Sequence, residues 1–545
     1  MDTTSFLALS VFHDPNRSGG QSSGEVGAIA DWSVLRGQLV LGAGETSASY
    51  AGAQAQVSGV RFGDSIDVRA VLAPTQEGGP ERVVAANLMW IDGSAGDTRP
   101  NGTVKIADWG WKSVGRLTTN ADRVVMAEEW LGGAVRLEGA SANLAQVTGN
   151  SWSNTIELGS RTGQVLAGGG HDTIKGGAGN DTLIGDAGND SVQGNDGDDI
   201  LWGGAGTDRL WGGVGQDSLS GGDAKDDLYG GDGNDTLDAG ADVDRLWAGA
   251  GDDSVAAGAG NDTLWGGSGH DTMDGGVGAD WLYGGDGDDV LRTRSSIDTS
   301  ADTLYGGAGD DDLWGSKFGD LLEDTEGANT FHTLGNDTVV AGVGNDTVYG
   351  GMGSQRLELG GGDDVFADTA TSGSIRVYLG DGNDEAYGQG RALWVDTGAG
   401  DDWVVGSSGN DSLYGGAGSD TLEGGHLGYD RLFGGDGSDV LVMNGGRATG
   451  GQGADVFVLD GGSRARYTVV DFSRSAGDTI GLESTAYDAL VSDWKDGTLN
   501  GFTLVNTATG FEMRSTTSAE VIAFEGLTSA GFSLSWFQEI MSESV

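Results

Sequence analysis

From Asp172 onward, every ninth residue of this chain is an aspartate. The series runs Asp172, Asp181, Asp190, Asp199, Asp208, Asp217, Asp226, Asp235, Asp244, Asp253, Asp262, Asp271, Asp280 and Asp289, fourteen positions without exception. Two places after each stands an apolar residue, from Ile174 and Leu183 to Leu282 and Leu291. A typical unit reads Gly203-Gly204-Ala205-Gly206-Thr207-Asp208-Arg209-Leu210-Trp211. Six residues rich in glycine form a turn that needs positive φ, and three form a short strand whose middle side chain points inward. Two units, eighteen residues, complete one coil of a flattened solenoid, and successive coils stack at roughly 4.8 Å.

Stacking brings the aspartates of equivalent turns into columns one strand spacing apart, where carboxylates repel strongly unless a cation lies between them. Carboxylates together with the carbonyls of glycine turns form a hard oxygen set, which suits calcium far better than zinc or copper. Ca2+ is therefore the expected occupant. A solvated acidic face without metal is the alternative.

These units match the glycine-aspartate nonapeptide of calcium-binding parallel β-solenoids. The stretch 168–292 resembles the RTX (repeats-in-toxin) family, whose repeats fold as a β-roll when calcium binds. The resemblance implies export through a type I secretion exporter that reads an uncleaved C-terminal signal. Met1 to Asp14 agree with that route, because the apolar run Phe6–Phe12 is short, broken by Ser10 and has no basic flank. No apolar run is long enough to span a bilayer.

Gly 105 and a net charge of −54 would ordinarily suggest disorder. The nine-residue order confines that state to the metal-free chain. Cysteine is absent, so neither disulfides nor thiolate metal sites stabilise the fold. No nucleic-acid partner is expected.

Residues 1–150 differ from the rest. All four prolines lie there, and 11 Lys+Arg against 16 Asp+Glu give −5, leaving −49 of the −54 to the remainder. Alternating runs at Val34–Leu41, Ile66–Leu72, Val83–Ile91, Val104–Trp109, Arg123–Trp130 and Ala134–Leu137 suggest a β-sandwich or barrel. Trp109, Trp111 and Trp130 belong either to its core or to an exposed glycan or subunit contact. The expected organisation is all-β: an N-terminal β domain (1–150), a lead-in (151–167), a regular calcium-bound parallel β-roll (168–292), an irregular insertion (293–336), a degenerate second roll (337–455), and a β cap with secretion signal (456–545). The insertion keeps Asp302 and Asp311. The second roll carries Asp337, Asp346, Asp364, Asp384, Asp402, Asp411, Asp420, Asp430, Asp439 and Asp455 as metal candidates, with Gln355 where aspartate is due. The cap resembles the one that follows the roll in secreted RTX metalloproteases.

An enzyme is not expected. The zinc signature HExxH is absent, and the five histidines, His13, His171, His270, His332 and His426, are scattered. One GxSxG string, Gly20 to Gly24, has no preceding apolar strand or following helix pattern. Paired acids such as Asp198-Asp199 and Asp252-Asp253 recur at a fixed repeat position, which fits ligand or turn roles, and His171 and His270 are expected as solvated turn residues.

The ninth place of each unit faces outward, and Trp211, Tyr229, Trp247, Trp265 and Tyr283 follow an eighteen-residue interval. This ladder either stiffens the roll or forms an association surface. The expected function is that of a secreted, calcium-dependent structural protein of a surface layer or matrix, self-associating or held to a cell-surface glycan. The rivals are an adhesin binding a glycan through residues 1–150 and a secreted hydrolase with an N-terminal site.

Overall fold

The computed structural model describes isolated strands between Leu9 and Leu137, then residues 144–293, 297–460 and 466–483, and strand segments between Trp494 and Ile540. Every regular element among them is a β-strand. Among the described residues no helix is long and apolar enough to cross a membrane. The chain divides into two compact units, Met1–Gly258 and Ala259–Val545. His13, the Gly20–Gly24 string, Trp109, Trp111 and Trp130 lie outside the described residues.

In the first unit, alternate nonapeptides fall into two rows of parallel strands. Arg209–Val214 pairs with Asp227–Asp232, which sets Leu210 opposite Leu228 and Trp211 opposite Tyr229. Ile200–Ala205 pairs with Ser218–Asp223 in the other row. The inward leucines Leu201, Leu210, Leu219 and Leu228 are at most 1% exposed, so a single apolar side chain per nonapeptide fills the core. The fold is the expected parallel β-roll.

The strands are longer than the three residues expected. Most span six, because the ladder runs on through the first three places of the next unit, as in Gly213 opposite Gly231. Glycine at the second place allows this: Gly213 has φ +125°, outside the range other residues adopt readily. The only non-glycine residues with positive φ among those described, Asp186, Asn195, Ala224 and Asp242, each replace a glycine at the second or fourth place.

Upstream, two antiparallel sheets are described: Leu9–Phe12, Ser47–Tyr50 and Ala53–Val57, then Leu35–Val40, Ser65–Ala73 and Arg82–Leu88. From Thr103 the pairing is already parallel. Thr103–Ile106 pairs with Arg123–Met126, and that strand with Ala145–Asn150. The coils thus begin before the boundary expected at residue 150. Inward Val124, Val135, Val147 and Ile156 supply the apolar core there without the glycine-aspartate turns that announce it later.

In the second unit the rows cross the stretch expected as an irregular insertion: Trp281–Asp286, Thr303–Ala308, Leu321–Glu323 and Thr338–Val343 pair in succession. Towards the end of the chain the pairing changes direction. Phe502–Asn506, Gly510–Ser515 and Val521–Glu525 form an antiparallel meander, and its last strand joins Arg466–Val469 of the parallel row. A solenoid end exposes unpaired backbone groups, and a strand meander covers them.

Candidate metal centre

Every aspartate expected as a metal ligand is buried, at 3% exposure or less. The reason is local. The sixth place closes the turn, and its carboxylate folds inward to take the backbone N–H of the aspartate one coil earlier. Asp190 Oδ1 accepts from Asp172 N–H at 2.7 Å, Asp208 Oδ1 from Asp190 at 2.7 Å, and Asp226 Oδ1 from Asp208 at 2.7 Å. The parallel column does the same, with Asp199, Asp217 and Asp235 each accepting from the aspartate eighteen residues before.

The second oxygen is different. Oδ2 of Asp172, Asp190, Asp199, Asp208, Asp217, Asp226 and Asp235 is buried and receives no hydrogen bond. In all of these units but that of Asp172, where Ala167 stands, it faces the first-place glycine of its own unit. A Cβ placed on Gly221 would stand 2.5 Å from Asp226 Oδ2 and 2.7 Å from the Ala239 carbonyl oxygen of the next coil. The first place thus leaves a small space bounded by a carboxylate oxygen and a backbone carbonyl oxygen.

Burial pushes these carboxyls far above their ordinary range. Asp199, Asp208 and Asp235 rise from 3.8 to about 7, chiefly through desolvation and further through neighbouring carboxylates in the column. Asp226, beside both Asp208 and Asp244, rises to about 8. Buried anions a strand spacing apart without a counter-charge are costly. Among the described residues no three His, Cys, Asp or Glu side chains converge on one point. A ligand set here combines one carboxylate per turn with backbone carbonyls, and the orphaned oxygens fit a hard, oxygen-seeking divalent cation.

In the second unit both columns persist although their spacing varies. Asp280 and Asp289 donate to Asp302 and Asp311 across 22 residues, and Asp439 to Asp455 across 16. The columns include residues beyond those expected. Asp320 accepts from Asp302 and donates to Asp337, while Asn329 accepts from Asp311 and donates to Asp346. Asp478 extends the second column past Asp455. Oδ2 of Asp280, Asp289, Asp364, Asp384 and Asp439 is again buried and receives no hydrogen bond.

Three expected ligands are arranged otherwise. Asp181, Asp337 and Asp411 use Oδ2 as well as Oδ1 to accept backbone N–H groups: Gly177 at 2.7 Å, Gly335 at 2.8 Å and Ser407 at 2.7 Å reach the second oxygen. Gln355, where aspartate was due, is 5% exposed and donates to the Gly351 carbonyl at 3.1 Å.

The exposed fifth place supplies a second row of bonds running the other way. Asn189 Oδ1 accepts from Thr207 N–H, and Asp198 Oδ1 from Gln216 N–H. His171 and His270 do the same, their Nδ1 atoms accepting from Asn189 and Asp288 at 2.8 Å, which makes them turn residues as expected. In the pair Asp198-Asp199 the first residue bonds the following coil and the second the preceding one.

The aromatic ladder consists of rings stacked face to face. Trp211 and Tyr229 lie 5.5 Å apart, and Tyr229 and Trp247 lie 4.5 Å apart. In the second unit Trp265, Tyr283 and Tyr305 stack in the same way, Tyr305 joining across 22 residues. The rings are half-buried, offering edges rather than faces to solvent.

The family model described as the RTX calcium-binding nonapeptide repeat (4 copies) matches residues 163–192, 184–219, 220–255, 247–282, 256–291, 265–299, 283–322, 333–366, 396–426 and 425–449. No curated protein matches the chain.

Proposed function

We propose, from the premise that this chain belongs to the RTX calcium-binding repeat proteins and folds as their β-roll, that it is an exported structural protein of a cell surface or extracellular matrix, ordered by calcium outside the cell. RTX repeats are calcium-binding motifs, and proteins that carry them are generally secreted, typically by type I secretion. The observation that carries the reading is the double column of buried aspartate oxygens that receive no protein hydrogen bond.

The Oδ2 atoms of the sixth-place aspartates, with the first-place carbonyls of the next coil, would hold the ion. Calcium supplies the positive charge that lets neighbouring carboxylates stack. Sites of the extracellular class bind with Kd of about 10⁻⁴ to 10⁻³ M, above cytosolic calcium, so the chain stays unfolded inside, as export requires. Binding only to the folded state then drives folding by mass action. The structural role draws support from the repetition itself: the stacked edges of Trp211, Tyr229 and Trp247 run along one strand row, a surface suited to association along its length.

Circular dichroism should report coil in chelator and strand in millimolar calcium, and electron microscopy of the calcium form should show ordered sheets or fibres. Replacing Trp247 and Trp265 by serine should leave the calcium-induced strand signal and abolish assembly. Assembly that survives the double replacement removes the ladder from the account. A strand signal indifferent to calcium removes the reading as a whole.

A further inference from the structure

One aspartate column of the second unit is interrupted. After Asp337 its sixth places are held by Gln355, Ile375 and Leu393, all buried, before Asp411 resumes it. Two residues before Leu393, at the fourth place normally given to glycine, stands Arg391. Its side chain is 1% exposed, in a chain of net charge −54.

Oxygen atoms surround its guanidinium. Nη2 lies 2.9 Å from Asp368 Oδ1, and Nε donates to Asp368 Oδ2 at 3.2 Å, a two-pronged pairing with a carboxylate whose side chain is fully buried. Nη2 also donates to Gln355 Oε1 at 2.8 Å, and Nη1 to the Gly353 carbonyl at 2.6 Å. Gln355 is fixed in turn by its own bond to Gly351. The next aspartate of the column, Asp411, has both oxygens occupied by backbone N–H groups, from Leu393 at 2.6 Å and Ser407 at 2.7 Å. No orphaned carboxylate oxygen is left at this junction to receive a metal ion.

The same substitution occurs in the first unit. Arg161, also at a fourth place and 1% exposed, precedes by two residues Gly163, which stands where aspartate would. Gly163 donates to Asp181, and Asp181 likewise has both oxygens bonded to backbone N–H groups. At Gly163 and at Leu393, two sixth places without a carboxylate, a buried arginine stands two residues before.

We infer that Arg391 is a built-in cation that takes the place of calcium at this junction of one column, so that its turns at 353–355 and 391–393 stay ordered at calcium concentrations that release the coils around Asp199–Asp253. Asp364 and Asp384 of the other column still take calcium. A guanidinium is always charged and its planar fork matches a carboxylate, so the junction carries its counter-charge covalently and needs none from solution. The inference rests on the calcium reading of the other coils.

The test is hydrogen exchange on the full chain as free calcium is lowered. Peptides covering 351–357 and 389–395 should lose protection at a calcium concentration at least roughly tenfold below the midpoint for peptides covering 199–253, since the pair that closes this junction is covalently supplied. Coincident midpoints overturn the inference. Loss of protection nowhere along the chain overturns the calcium reading as well.

Replacing arginine by methionine (Arg391→Met) strands the buried Asp368 carboxylate and should raise local opening of these two turns by about two orders of magnitude. The double variant Arg391→Met/Asp368→Leu, which removes both charges, should bring their midpoint back towards that of the unmodified chain. An Arg391→Met chain whose 351–357 and 389–395 peptides respond to calcium as before overturns the inference, whatever the double variant does.

Discussion

Replacing Asp208 by asparagine should have opposite effects with and without calcium. Asp208 Oδ1 accepts the Asp190 N–H at 2.7 Å, and an amide oxygen can do the same. Its Oδ2 is buried and receives no hydrogen bond, and burial lifts the carboxyl from 3.8 to about 7. A raised folded-state value means that stability is full below the unfolded value and is lost as pH rises through the folded one. At about pH 8 the metal-free roll carries that loss, some three pKa steps or about 4 kcal/mol unscreened, and about 2 kcal/mol once solvent screening is allowed for. Asparagine removes it. With calcium the sign reverses, because the variant loses a charged ligand and should bind on the order of tenfold more weakly at that turn. The assay is urea unfolding followed by circular dichroism in two arms: chelator with a stabilising osmolyte, which brings the metal-free fold into range, and saturating calcium. A variant that is destabilised in both arms, or stabilised in both, would refute the assignment of Oδ2 as the cation-facing oxygen.

Gly213→Ala, which forces a Cβ onto the Asn195 carbonyl oxygen at φ +125°, should cost about 2–5 kcal/mol in calcium, read as a lowered urea midpoint. Gly213→Asn should cost less, since Asp186 and Asn195 already hold the equivalent place with positive φ. In chelator plus osmolyte, strand signal should be greatest near pH 4 and fall as pH rises through about 7, where Asp199, Asp208 and Asp235 ionise in the fold. A profile that instead rises over that range would contradict the burial of these carboxyls without a counter-charge.

The regular part of the roll was legible because each nonapeptide repeats the same physical demand: positive φ at the second and fourth places, a carboxylate at the sixth, an apolar side chain at the eighth. The coils from Thr103 to Asn150 were not, since parallel stacking needs only the inward apolar residue, and Val124, Val135 and Val147 look the same in any strand. Asp320 and Asn329 keep the regular interval from Asp302 and Asp311 and escaped notice because the turns before them, 315–319 and 324–328, have lost most of their glycines. Asp455 and Asp478 lie 16 and 23 residues from their partners because loops absorb missing or extra residues outside the ladder. Arg391 was invisible for another reason. An arginine in an acidic surface repeat reads as a solvated side chain until the fold shows it enclosed against Asp368.

The most direct measurement of the central claim is a high-resolution structure of the calcium form. The account predicts an ion between each open sixth-place Oδ2 and the first-place carbonyl of the next coil, as at Asp226 and Ala239, and none beside Arg391. An intact roll whose aspartate columns hold no ion would contradict it.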